Sequence, residues 1–316
     1  MQESKKIPVG ISSCLLGERV RYDGGHKLNS YVSSTLGEFF EFRAFCPEMS
    51  IGLGVPRKTI RLVDIDGQTH CQGTQESNLD VTESLRQCGL EQSSWHSSIY
   101  GYILKKDSPS CGMERVKVYK NDQPERKGVG IYAQVLMDRY PNLPVEEEGR
   151  LGDPVLRENF LQRVFAFRRW GEVVQKGVSK RILTEFHGQH KLTLLSHDQD
   201  LARDLGRELA KVESSDAQEY APDYIAKFMA LLKIKATRSN HVNVLQHIQG
   251  YLKKLLDSQD REELCEVIEE YRLGHLPLIV PITLLKHHFR RNPSEYILDS
   301  YYMNPHPKEL MLRNSL

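Results

Sequence analysis

Three cysteines sit in short loops that each close an apolar, strand-like run. They are Cys14 in Ile11-Ser12-Ser13-Cys14-Leu15-Leu16-Gly17, Cys46 in Phe45-Cys46-Pro47-Glu48, and Cys111 in Ser108-Pro109-Ser110-Cys111-Gly112. The ends of parallel strands lie side by side at one edge of a sheet, where α/β folds place their sites. Thiolates distant in the chain can therefore converge, and such a set suits zinc, copper(I) or an iron-sulfur cluster. Structural zinc sites usually draw on C-x-x-C pairs, which this chain lacks. A 4Fe-4S cluster ordinarily takes four thiolates, so one held by three would leave an iron open as a Lewis acid, and a Cys-Pro step closes familiar cluster runs. Unpaired cysteines also serve as small buried apolar side chains, and spacing alone leaves that reading open. Cys71, Cys88 and Cys265 read as ordinary thiols.

Around these loops stand groups that move protons. Glu48 follows Cys46 by two residues, and a partly desolvated carboxylate there is the candidate general base, with a helix-capping or solvated acid as the plainer reading. Ser108 is the candidate relay ahead of Cys111; the turn chemistry of Ser-Pro-Ser is its alternative. Ser13, Ser110, Asp23 and Arg57 are candidate substrate contacts, Arg57 for a phosphate or ring carbonyl. Asp23 and Arg57 read equally as members of structural ion pairs. Gly52-Leu53-Gly54 lacks the third glycine and following helix of a dinucleotide site and reads as a loop shaping a pocket.

The elements that must position these residues follow from periodicity. Strands are expected at Lys6 to Ser13, Arg43 to Cys46, Ile60 to Asp66, Ile99 to Lys105 and Leu143 to Val145. Between them, helices are expected at Asn29 to Phe42, Glu76 to Leu90 and Gly128 to Tyr140. Strands alternating with helices predict an α/β fold, a mainly parallel, Rossmann-like sheet with flanking helices. Glu146 to Pro154 reads as a polar boundary. Beyond it an all-α domain is expected, with helices at 155–171, 181–195, 197–212, 217–235 and 242–257, an apolar stripe over Leu264 to Tyr271 that stops at Gly274, and a last helix from Pro281 through Arg290. The division is 1–152, a connecting helical segment 153–185, and 186–316.

Composition bounds the rest. The 316 residues suffice for two domains, and 39% hydrophobic with 27% charged residues describes a globular chain. The longest apolar stretch, Leu276 to Leu285, is broken by Pro277 and Pro281, so no membrane span is expected. Six cysteines without a dense pattern indicate a reducing compartment, and Met1 to Lys6 has no signal core, so a cytoplasmic location is expected. A net charge of +1 confines any nucleic-acid surface to a local basic patch.

Ser12-Ser13-Cys14-Leu15-Leu16-Gly17 with Arg21-Tyr22-Asp23-Gly24, Cys46-Pro47-Glu48 with Gly52 to Arg57, and Ser108 to Gly112 together resemble the thiouracil desulfidase family over residues 7 to about 150. The resemblance implies an oxygen-sensitive 4Fe-4S cluster on Cys14, Cys46 and Cys111, and exchange of the sulfur of a thiolated pyrimidine for oxygen. With no dinucleotide fingerprint and no C-x-x-x-C-x-x-C run of the kind radical enzymes use, a hydrolytic reaction is expected, in which iron keeps the sulfur while water adds to carbon under Glu48.

In the helical half, His187 and His190 lie three apart. No H-E-x-x-H pattern accompanies them, clustered histidines on solvated helices are common, and no second metal is expected. Arg238, His241, Asn243, His247, Gly250, Lys253 and Lys254 form the polar side of an expected helix, and Lys286, Arg290 and Arg291 belong to a basic run. Arg238, His247, Lys253, Lys254, Lys286, Arg290 and Arg291 are the candidate phosphate contacts; a solvated face is the plainer reading. Phe186 to Lys191, Asn243 to Tyr251 and Leu278 to Leu285 resemble a helical domain family whose fusion to a desulfidase domain is similar to the bacterial tRNA 4-thiouridine desulfidases. That resemblance implies tRNA containing 4-thiouridine as partner, with free thiouracil or 4-thiouridine monophosphate as the alternative substrate. An iron-sulfur redox sensor with a helical partner-binding module is the alternative from another class.

Overall fold

The computed structural model describes residues 6–76, 78–310 and 312–313. The chain divides into two units, Met1–Gly152 and Asp153–Leu316.

The first unit's strands are β1 (Ile7–Ser12), β2 (Phe40–Phe45), β3 (Ile60–Ile65), β4 (Gln68–Gly73), β5 (Tyr102–Leu104), β6 (Val116–Lys120), β7 (Gln123–Gly128) and β8 (Val145–Glu147). One sheet has the order β2-β1-β5-β8 and is parallel throughout. Its central strand β1 reads Ile-Pro-Val-Gly-Ile-Ser, and Val9 and Ile11 are fully buried, as a parallel strand covered on both faces requires. Gly10 is needed there because a Cβ would collide with the Tyr102 ring on β5. The helices of this unit are the short α1 (Pro47–Ser50), then α2 (Thr82–Glu91), α3 (Ser93–His96) and α4 (Ile131–Arg139). Tyr132 of α4 packs on Phe45 and Tyr102 at ring separations of 5.5 and 6.2 Å, which seats α4 against the ends of β2 and β5.

Several expectations are corrected here. Asn29 to Phe42 is not one helix: a π-helical turn covers Tyr31–Thr35, a 3₁₀ turn covers Leu36–Glu38, and Phe40 to Phe42 pair with Ile7 to Val9. Gly37 weakens the helix, and burial of Phe40 in the sheet outweighs its continuation. The strand from Ile60 belongs to a second sheet, ordered β4-β3-β6-β7, in which two antiparallel hairpins join through the parallel pair β3 and β6. Strands β4, β6 and β7 were not expected. The helix expected from Glu76 starts at Thr82, and Ser77 lies outside the described residues. The last strand runs into the acidic stretch: Glu146 and Glu147, read as linker, are buried in β8.

The second unit is helical: α5 (Pro154–Lys176), α6 (Lys180–His197), α7 (Gln199–Lys211), α8 (Ala217–Lys233), α9 (Arg238–Gly250), α10 (Ser258–Leu273), α11 (Ile279–Arg291) and the short α12 (Glu295–Leu298). Caps define several of these boundaries. Asp153 accepts the N–H groups of Val155 and Leu156 behind Pro154, Asp198 does the same for Asp200 and Leu201, and Gly274 closes α10 in the left-handed conformation. Ala166, Trp170 and Val173 of α5 pack with Phe186, Tyr224 and Phe228, and a second core gathers Leu245, Ile248, Leu264, Leu285 and Tyr302. The helix expected over 242–257 ends at Gly250, so Lys253 and Lys254 lie on the turns after it. Among the described residues, no helix is long and apolar enough to cross a membrane.

Candidate metal centre and active site

The parallel sheet delivers all three cysteine loops to one edge. Cys14 lies in the 3₁₀ turn directly after β1, Cys46 follows β2 and opens α1, and Cys111 ends the loop after β5. These strands are neighbours in the order β2-β1-β5, so their carboxyl ends frame a crevice between β1 and β5. A cavity of about 400 Å³ opens there, lined by Cys14, Cys46 and Cys111 together with Ser13, Glu48, Arg57, Ser108 and Ser110.

Local bonds hold each loop. Ser12 Oγ accepts the Lys105 N–H at 3.0 Å and ties the end of β1 to the end of β5. The Cys14 carbonyl accepts the Lys27 N–H at 2.8 Å. The Cys111 loop is clamped by the start of α4, where the N–H groups of Gly130, Ile131 and Ala133 donate to the carbonyls of Gly112, Pro109 and Ser110. Gly130 must be glycine, because a Cβ would overlap the backbone of Ser110 and Cys111. From the other side, Glu147 accepts the Met113 N–H at 2.8 Å, and burial pushes this carboxyl's pKa up.

The thiols are shaped by burial. Desolvation raises the Cys14 pKa to about 11 against the pull of the Lys105 ammonium, and it raises Cys46 against the N–H groups of Met49 and Glu48. The most enclosed, Cys111, is raised furthest, with Cys46 and Glu48 adding to the effect and the hydroxyls of Ser110 and Ser12 opposing it. Three thiolates are thus costly in this cavity unless a cation binds them, and a metal centre supplies that charge. Among the described residues, no three His, Cys, Asp or Glu side chains are placed to hold a single metal ion. A cluster takes each thiolate on a separate iron and needs no such closeness, so this donor set fits a cluster better than one zinc.

Beside the sulfurs runs a chain of proton-bearing groups. Ser108 Oγ and Ser110 Oγ are 2.9 Å apart, and Ser110 Oγ donates to Glu48 Oε1 at 2.6 Å. Ser108 Oγ also accepts the Cys111 N–H at 3.1 Å, so its turn role and its place in the chain coexist. Glu48 Oε2 is held by Arg57, whose guanidinium also donates to the carbonyls of Val20 and Gly54 at 3.0 and 2.8 Å. Arg57 is 6% exposed, with its donors directed at Glu48 and the loop, so it positions the carboxylate and has little left for a substrate phosphate. Asp23 is not brought to the cavity; it is exposed, accepts the Gly25 N–H and pairs loosely with Arg21 at 3.6 Å. Lys105, ion-paired with Glu148, lines the cavity and was not singled out by the residue pattern.

In the second unit, the histidines read as solvated are largely core residues. His187, His190, His197, His241 and His288 are buried. His187 bonds the Tyr224 hydroxyl at 3.2 Å, His190 donates to the Phe186 carbonyl at 2.8 Å, and His241 bonds the Tyr302 hydroxyl at 2.9 Å. An imidazole with one local partner is readily buried as an aromatic, and sequence spacing does not reveal that partner. Among the candidate phosphate contacts, Arg238 lies over the Tyr271 ring at 4.7 Å and donates to its carbonyl, and Lys286 is half-buried. Lys253, Lys254, Arg290 and Arg291 are exposed, and His247 lines a groove.

Residues 9–148 match the family described as 2-thiouracil desulfurase, and residues 191–307 match DUF1722, a family of unknown function. The uncharacterised protein YbgA of Escherichia coli (strain K12) is 30% identical over 159 residues, which cover 50% of this chain and 94% of YbgA. The uncharacterised protein YbbK of Bacillus subtilis (strain 168) is 32% identical over 108 residues, covering 32% of this chain and 71% of YbbK. A solved structure of the 4Fe-4S-dependent thiouracil desulfidase TudS is 31% identical, covers 48% of this chain and 95% of that one, and has a TM-score of 0.37.

Proposed function

Starting from the premise that this chain belongs to the 2-thiouracil desulfurase family through residues 9–148, we propose that it replaces the sulfur of 4-thiouridine in tRNA by oxygen. The observation that supports this most is one cavity lined by Cys14, Cys46 and Cys111 together with Glu48 and the hydrogen-bonded hydroxyls of Ser108 and Ser110. Cys14, Cys46 and Cys111 are the residues that would hold a 4Fe-4S cluster. Such a cluster on three protein ligands supplies an iron with an open position, a Lewis acid for the departing sulfur.

The reaction is redox-neutral: a thione and water give a carbonyl and hydrosulfide. As the water oxygen bonds to carbon it must lose a proton, and Glu48 Oε1 is the acceptor. Arg57 holds Oε2, and Oε1, which accepts the Ser110 hydroxyl, has a second lone pair for the water's proton. Ser108 extends that path by one hydroxyl and anchors it to the Cys111 backbone. A placed proton acceptor contributes roughly two to four powers of ten in rate.

A thiolated uridine in folded tRNA must leave its stack to reach such a cavity, and exposed cations on the helical unit give the RNA a second hold. A free thiolated monophosphate is the second reading, favoured by Arg21, Lys27, Lys58 and Lys106 around the same cavity. Anaerobically purified protein, assayed for iron and then incubated with thiolated tRNA and with the thiolated monophosphate, tests both. Turnover of tRNA with salt-dependent retention is expected; turnover of the monophosphate alone with no tRNA retention overturns the tRNA reading.

A further inference from the structure

A groove of about 480 Å³ in the helical unit is built from one stripe on α6 and α7 facing one stripe on α9. Lys191 and Leu195 lie four apart on one face of α6, Gln199 and Arg203 lie four apart on one face of α7, and all four line the groove. Opposite them stand Asn243, Gln246 and His247, and Leu195 with Val244 provides the apolar surface. The lining holds two cations and a histidine, and none of the described lining side chains is acidic. Lys191 is exposed, while Arg203 is oriented by Gln199 and Asp200, to which it donates at 2.9 and 3.3 Å.

Aromatic rings continue from the groove's edge. The His247 ring meets Tyr251 edge-on at 5.6 Å, and Tyr251 meets Tyr296 at 5.7 Å. Tyr251 is 43% exposed, which leaves ring surface for another planar group. The three chemistries complement one another. Cations suit a phosphate, the carboxamides of Asn243 and Gln246 offer the paired donor and acceptor that a base edge presents, and the exposed Tyr251 ring beside His247 is a stacking surface. A volume near 480 Å³ falls within the range of small-ligand sites, roughly 300–1,000 Å³.

We propose that this groove binds one unstacked nucleotide of single-stranded RNA, with its phosphate at Lys191 and Arg203, its base edge at Asn243 and Gln246, and its ring stacked at Tyr251. The choice of RNA over a free mononucleotide as the source rests on the tRNA reading above; the groove chemistry does not.

The test is fluorescence anisotropy of the full chain with a labelled oligouridylate of about eight nucleotides, within the usual span of single-strand sites. The same strand in duplex form and uridine monophosphate as competitor complete the set. Tyr251→Ala is expected to weaken single-strand binding roughly tenfold or more, and Lys191→Ala and Arg203→Ala several-fold each with a shallower salt dependence. Lys191→Arg should retain affinity, and unchanged thermal midpoints establish that the variants fold. Unchanged affinity in all three variants, or equal affinity for the duplex, overturns the site. Competition by uridine monophosphate at oligomer-like concentrations, lost in the same variants, overturns RNA as the source while the nucleotide chemistry stands. Wild-type protein that turns over thiolated tRNA while the variants bind as before would sink the groove alone. Groove-dependent binding without turnover of thiolated tRNA would sink the tRNA reading alone.

Discussion

Cys14, Cys46 and Cys111 come from three strand ends and line one cavity, whereas His187, His190, His197, His241 and His288 of the helical unit are buried. Both sets look like metal ligands in a linear sequence. The difference lies in what carries them. Residues just past parallel strands sit on loops at a common edge, with their side chains free to meet. Residues inside amphipathic helices face the core, where one ring nitrogen of His187 bonds Tyr224, one of His190 bonds the Phe186 carbonyl and one of His241 bonds Tyr302. Chemistry-bearing residue types therefore mean more at strand ends than within helices.

That contrast can be broken most directly at the cysteines. Cys14→Ala, Cys46→Ala and Cys111→Ala should each lose the cluster, read as iron per chain and visible absorbance after anaerobic purification. Iron retained in any of the three would separate that residue from the ligand set. Next in size is Glu48→Gln, expected to lower desulfuration by roughly two to four powers of ten while iron content holds. Loss of turnover with the cluster in place also eliminates a pure redox sensor, which has no turnover to lose.

A third effect belongs to the helical unit. Burial lowers the pKa of His187 and His197 to about 4 and that of His190 to about 3, against 6.5 for an ordinary histidine. Between those values the unfolded chain binds protons that the folded unit does not, so stability falls as pH drops from about 6.5 toward 4. At pH 5 each of these histidines should cost on the order of 1–2 kcal/mol, read as a lower urea midpoint than at pH 7. A flat midpoint over that range would mean that the histidines are not held neutral in a core. Ser108→Ala should cost less than Glu48→Gln, roughly tenfold in rate, because Ser110 still reaches Glu48 directly. Cys71→Ala and Cys88→Ala should leave iron content unchanged, since neither lines the cavity.

Much of the site was legible because its residues cluster at loops that sequence pattern can locate. The helical unit was legible in its periodicity and caps, down to Gly274 ending α10. The second sheet was not. Strand β7 reads Gln-Pro-Glu-Arg-Lys-Gly, and its polar residues and proline suit an edge strand that shows no alternation. Two signals were nonetheless present. Asp66-Gly67 and Asn121-Asp122 all have positive φ and form the two-residue turns of the hairpins β3/β4 and β6/β7. Glu146 and Glu147 misled because acidic residues usually mark solvent, whereas here Arg150 and the Met113 N–H meet them in place.

From its amino-acid order alone, this chain declares a parallel α/β unit followed by helices, and three loops that each present a cysteine after a strand. Those features are local, set by hydrophobic period and turn chemistry within a few residues. The tertiary structure alone decided that Arg57 serves Glu48, that Glu147 and α4 clamp the Cys111 loop, and that the histidines are core. Each depends on a partner supplied from elsewhere in the chain, and side-chain spacing does not encode which distant group will meet a given atom.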